Sequence, residues 1–192
     1  MRHKRDVVRA RTHQWVHEVV IGLNLCPFAK AVAGDMAIEV YEGQDMAEMT
    51  EALSGHISTF VEACDVAVPT TLFVTPNMLS DFMDYNDYLR TADTILYEKG
   101  LDGILQIASF HPDYRFAGAD RDDPANYTNR SPYPMFHLLR EDHVSAAIER
   151  FPDTTTIPET NIRLLREMGA SAMRDVLASC LSTESPSRQK TS

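Results

Sequence analysis

Residues 70–110, TTLFVTPNMLSDFMDYNDYLRTADTILYEKGLDGILQIASF, decide the fold. The first six are β-branched, aromatic or aliphatic and close on Pro76 and Asn77, the composition of a buried strand ending in a turn. Phe82, Tyr85, Leu89, Ala92 and Leu96 then recur at helical spacing, with Ser80 placed to cap the helix, an end near Lys99 and Gly100 suited to the position beyond it. Gly103 opens GILQIASF, a second apolar strand. Upstream, residues 36–42 (MAIEVYE) read as a strand closed by Gly43, and residues 44–64 carry Met46, Met49, Leu53, Ile57, Phe60, Val61 and Cys64 on one helical face. The sum is strand, helix, strand, helix, strand. Right-handed crossovers make these three strands parallel and gather the residues beyond their carboxyl ends along one edge, where open α/β sheets hold ligands.

The flanks add helices and one more strand. Val8, Trp15, Val16, Val19, Val20 and Leu23 form a stripe over residues 5–23, stopped by Gly22 and Asn24. His13 and His17 sit four apart on the polar side of that helix, as HQWVH rather than HExxH, and read as a solvated face in preference to a ligand pair. In GLNLCPFAK, residues 22–30, Pro27 is suited to a first helical position. That makes Cys26 the N-cap of a short turn, where the helix dipole and Lys30 favour a thiolate, or else a small residue closing a corner. PMFHLLRE, residues 134–141, is read as a fourth strand with His137 facing away from Phe136 and Leu138. Asp142 caps a following helix through Val144, Ala147, Ile148 and Phe151. Residues 158–181 are helical, with Gly169 as a kink or break and Cys180 on the apolar stripe, and residues 182–192 are a polar tail expected to be disordered. The expectation is an α/β (or α+β) fold in a single domain, residues 1–181. It has a small mixed sheet of about four strands with a βαβαβ core, an N-terminal helix and C-terminal helices packed on it.

Eighteen basic residues against 28 acidic give a formal charge of −10 over 192 residues, which disfavours a nucleic-acid binder. No apolar run approaches the roughly 18 residues of a membrane span, and MRHKR lacks the apolar segment of a secretory signal. Three cysteines without CxxC spacing suggest neither a disulfide framework nor a zinc ribbon. A cytoplasmic protein is expected.

The chemistry concentrates between residues 106 and 141, QIASFHPDYRFAGADRDDPANYTNRSPYPMFHLLRE. A connection this long is functional or disordered, and its six aromatics (Phe110, Tyr114, Phe116, Tyr127, Tyr133, Phe136) supply apolar area for order. His111 near Asp113 fits an acid/base histidine oriented by a carboxylate. Arg115 and Arg130 are suited to gripping a carboxylate or phosphate, with Tyr114 and Asn129 orienting it. The same residue types also tie long loops together through side-chain to backbone hydrogen bonds.

GLNLCPFAK, FHPDYRFAG and NRSPYPMFHLLRE together resemble the signatures of domain-of-unknown-function family 1415 over about residues 16–177. The resemblance implies membership of that group and carries no reaction, cofactor or substrate with it.

The leading expectation is therefore a small cytoplasmic enzyme acting on a small anionic metabolite. His111, with Asp113, serves as general acid or base, Cys26 is the candidate nucleophile, and Arg115 and Arg130 are clamps. Two alternatives stand beside it. In a metal-dependent enzyme, His111, Asp113 and His137 would hold a divalent transition metal. In a non-catalytic module the same loop would bind a ligand or partner without turning it over.

Overall fold

The computed structural model describes residues 4–63, 69–150 and 154–182. Cys64, Phe151 and residues 183–192, which carry sequence expectations, lie outside the described residues. Helix α1 spans Lys4–Trp15 and runs into a π-helical turn at Val16–Ile21. The short helix α2 is Ala29–Val32, followed by strand β1 at Ala37–Val40 and helix α3 at Met46–Glu62. Strand β2 (Thr70–Val74), helix α4 (Phe82–Glu98) and strand β3 (Leu105–Phe110) complete the expected alternation. A 3-10 turn at Pro124–Thr128 interrupts the long loop before strand β4 (Met135–Arg140), helix α5 (Glu141–Arg150) and helix α6 (Ile157–Ser182).

The sheet is mixed, in the order β1-β2-β4-β3. β1 pairs parallel with β2, while β4 pairs antiparallel with β2 on one side and β3 on the other. The three early strands do run in one direction. They are not consecutive neighbours, because β4 returns antiparallel into the gap between β2 and β3 and makes the sheet mixed, as expected. Both of its edges then find hydrogen-bond partners, which a lone edge strand would lack.

Alternation along the strands builds two cores. Phe73, Phe136, Leu138 and Leu105 face α3 and α4 and pack with Met49, Leu53, Ile57, Tyr85, Tyr88 and Ala92. Val40, Leu72, Val74 and Met135 face the other way, onto Val8, Trp15, Val16 and Val19 with Leu165 and Met173 of α6. Two polar residues finish the ends of this arrangement. The Tyr85 hydroxyl donates to the Met135 carbonyl at 2.7 Å and accepts from Phe110 N–H at 3.0 Å, bridging the last register pair of β3 and β4. At the opposite end, Arg140 lies over the Phe60 ring and donates to the Phe60 and Ala63 carbonyls, satisfying the carboxyl end of α3.

Local details differ from the sequence reading where backbone geometry overrides composition. The cap of α4 is Asp81, whose carboxylate accepts from Met83 and Asp84 N–H, not Ser80. Cys26 is not an N-cap. Its carbonyl accepts from Ala29 N–H to close a turn, and α2 starts only after Phe28, without a side-chain cap. Gly169, with φ 82° and ψ 155°, breaks α6 into two helical pieces, a backbone state that excludes most side chains.

Candidate functional site at the carboxyl edge of the sheet

Helix α1 lies across the carboxyl ends of the three co-directional strands, and its contacts map the crossing. Lys4 donates to the Asn77 carboxamide beyond β2 at 2.9 Å, and Arg5 lies 3.5 Å from the Glu42 carboxylate beyond β1. Arg11 reaches the Tyr133 hydroxyl ahead of β4 at 3.3 Å. Trp15 packs edge-on against Phe110 at the end of β3 and donates its indole N–H to the Arg130 carbonyl at 3.1 Å. Asn77 ties the β2 end to the β1 end by donating to the Glu42 carbonyl at 2.7 Å.

Helix α1 is itself basic within an acidic protein. Helix α1 carries Lys4, Arg5, Arg9 and Arg11 against a single acid, Asp6. Arg9 is committed to the Ile38 carbonyl and Glu39. Nε of Arg11 and Oγ1 of the fully buried Thr12 are enclosed without a hydrogen-bond partner, as is Nε of Arg5 apart from its loose pairing with Glu42. Buried donors without acceptors cost free energy, which an acceptor from water or a ligand would recover.

The long loop is ordered by its own side chains. Buried His111 donates from Nε2 to the Leu79 carbonyl at 3.0 Å and accepts from Asp113 N–H at Nδ1 at 2.9 Å. The ring is thus a neutral imidazole with both nitrogens engaged by main chain, and burial lowers its pKa against the opposing pull of Asp113 and Asp81. Asn126 accepts from Phe116 N–H and donates to the Asp120 and Arg121 carbonyls. Asn129 donates to the Ser109 carbonyl. Arg130, nearly buried, gives Nε to the Tyr114 carbonyl and Nη2 to the Arg121 carbonyl, with its guanidinium 4.6 Å from the Tyr127 ring centre. Asp123 caps the 3-10 turn, and Arg166 of α6 grips its carboxylate from 2.7 and 3.2 Å. That grip holds the Asp123 pKa down.

The residues singled out by sequence are therefore spread over different tasks. His111, Asn129 and Arg130 are built into the loop's framework. Asp113 is exposed and 3.6 Å from Arg121, Tyr114 is half-buried between Phe82 and Phe116, and Arg115 is exposed with no hydrogen bond or ion pair among the described residues. Cys26 is a half-buried free thiol, and no hydrogen bond or ring contact among the described residues joins it to His111. The sequence placed His137 on the face opposite Phe136 and Leu138, and it lies there. Its Nε2 lies 2.6 Å from Thr70 Oγ1, whose proton goes to the Leu138 carbonyl, so the ring carries its own proton on Nε2. His111, Asp113 and His137 do not come together: among the described residues no three His, Cys, Asp or Glu side chains form a metal-holding group. What the sequence reading missed is the α1 row. Its signal was present as KRDVVRAR, a basic helix start in an acidic chain, but nothing in the periodicity says which strand ends it crosses.

No helix of the described residues is long and apolar enough to cross a membrane. A surface depression of about 510 Å³ runs along α6, lined by Glu159, Ile162, Arg163, Arg166 and Glu167, with Arg166 already committed to Asp123. Comparison with curated proteins and with solved structures gives no match. Residues 7–175 do match one family, described as "Protein of unknown function (DUF1415)", and with most of its length covered the chain belongs to that family.

Proposed function

We propose that the protein binds a small anion, a carboxylate or phosphate, at the carboxyl edge of its sheet and holds it without transforming it. Arg11 is the principal grip, with Lys4 and Arg5 supplying further positive charge. The observation that carries this reading is the Arg11 guanidinium. Its Nε is buried and unpartnered, and its only hydrogen bond among the described residues is the long one to Tyr133. The Tyr133 contact uses Nη1, which leaves the Nε–Nη2 edge, the fork that accepts a carboxylate or phosphate bidentately, without a hydrogen bond among the described residues. The location agrees with the general preference of ligands for this edge of α/β sheets. A binding role is favoured over acid/base catalysis because His111 could take or give a proton only after losing Asp113 N–H or the Leu79 carbonyl. A reducing, cytoplasmic setting suits the free thiols of Cys26 and Cys180.

The test is calorimetric titration with inorganic phosphate and with a short dicarboxylate. Arg11→Gln should weaken binding at least about tenfold, the worth of one charge-assisted hydrogen bond. Undiminished affinity in that variant, or no heat from the wild type with either anion, would discard the proposal.

A further inference from the structure

We propose that His13 and His17 form a two-histidine chelate for a divalent transition metal on the solvent side of α1. Their rings lie 4.4 Å apart, centre to centre, at an interplanar angle of 37°. A metal bound about 2.0–2.1 Å from each ring nitrogen sits roughly 3.2 Å from each ring centre, so two cis ligands at a right angle place the centres about 4.5 Å apart. Tetrahedral ligation would spread them to about 5 Å. The observed separation is close enough for both rings to reach one ion, and imidazole is a ligand that nickel, copper and zinc accept.

The other histidines make the contrast. His111 and His137 have their Nε2 atoms committed to Leu79 and Thr70, and His56 has its Nε2 on Thr71 at 3.0 Å. Among the described residues no hydrogen bond engages a ring nitrogen of His13 or His17, and both residues are exposed. Their four-residue spacing brings them onto consecutive turns. Water would fill the remaining positions, so this is an open site, unlike the three-residue set that His111, Asp113 and His137 fail to form.

The experiment is titration of the full chain with Ni²⁺ alone, followed by calorimetry. The His3→Ala background is used throughout, so that the amino-terminal histidine cannot contribute. One equivalent should bind, and His13→Ala and His17→Ala should each weaken it at least about tenfold by breaking the chelate, while His143→Ala changes nothing. Circular dichroism of each variant checks that the fold is retained. No binding in the background protein overturns the proposal. So does binding that survives either His13→Ala or His17→Ala, or that disappears in His143→Ala.

Discussion

His111 holds Leu79 in a backbone conformation that leucine rarely adopts: Leu79 has φ 55°, and its carbonyl accepts the His111 Nε2–H at 3.0 Å. The ring also sits between Phe82 and Tyr85, with centres 5.4 and 5.1 Å away. Two connections that leave the same sheet edge, after β2 and after β3, are thus pinned to each other through one imidazole. Replacing His111 by Ala leaves the Leu79 carbonyl and Asp113 N–H without their partners and opens a cavity. The expected loss is about 2–4 kcal/mol of stability in urea unfolding. Anion affinity of the folded protein should stay within about threefold, because His111 does not touch the proposed site. A stability loss below about 1 kcal/mol would mean that His111 does not pin the two connections.

The buried histidines predict an acid-sensitive fold. Protein packed around the His137 ring lowers its pKa from 6.5 to about 4, and no charged neighbour opposes the shift. Between those values the unfolded chain binds a proton that the folded chain refuses, so stability rises with pH across the window. It is fully present above about pH 6.5 and lost as the pH falls to about 4, a contribution of about 3 kcal/mol. His111 and His56, both lowered by burial, act in the same direction. Unfolding free energies measured at several pH values in this range should therefore slope upward, and His137→Gln should flatten the slope. Parallel curves for wild type and variant would show that His137 is not the group responsible.

Much of this architecture was legible in the chain, and the reasons are physical. β-branched, aromatic and apolar runs and helical stripes predicted every strand and the main helices, because the central strands bury both faces whereas each main helix buries one and its stripe records which. Strand order was not legible, since the apolar faces of β2, β3 and β4 fit several orders equally well and only the return of the long loop puts β4 in the middle. The π-helical turn after Trp15 escaped for a similar reason, as Val16 and Val19 satisfy either helix type. Within the loop, His111, Asn129 and Arg130 have the chemistry of an active site and of a hydrogen-bonded framework alike. Composition does not choose between these uses. The fold does, because their polar atoms end on main-chain groups.

Two glycines separate steric from conformational need. Gly22 has an ordinary helical φ of −60°, yet a Cβ there would overlap the Glu18 carbonyl oxygen at the end of the π-helical turn. Gly169 has open space around it but a φ of 82°. With ψ at 155° Gly169 lies in a region essentially reserved for glycine, so Ala there should cost about 1–3 kcal/mol from backbone strain alone. At Gly22 the clash is with backbone, so the π-helical turn must shift and the loss should be larger. Thermal unfolding of both variants decides the ranking, and equal small losses would mean that the turn readily relaxes to an α-helix.

The division between framework and ligand-binding arginines gives the sharpest contrast. Arg130 donates two charge-assisted hydrogen bonds to the Tyr114 and Arg121 carbonyls and stacks on Tyr127, whereas Arg115 is exposed and makes no such contact among the described residues. Arg130→Ala should therefore lower stability by about 2–3 kcal/mol, while Arg115→Ala should change it by less than about 0.5 kcal/mol. Neither should alter phosphate or dicarboxylate affinity in protein that remains folded. Arg11→Gln should do the reverse, weakening the anion with little effect on unfolding, because its long contact to Tyr133 contributes little to the fold. The two measurements on the three variants form a cross. If Arg115→Ala instead weakened the anion and Arg11→Gln did not, the site would have to move from α1 to the loop tip, and the framework role of Arg130 would still stand.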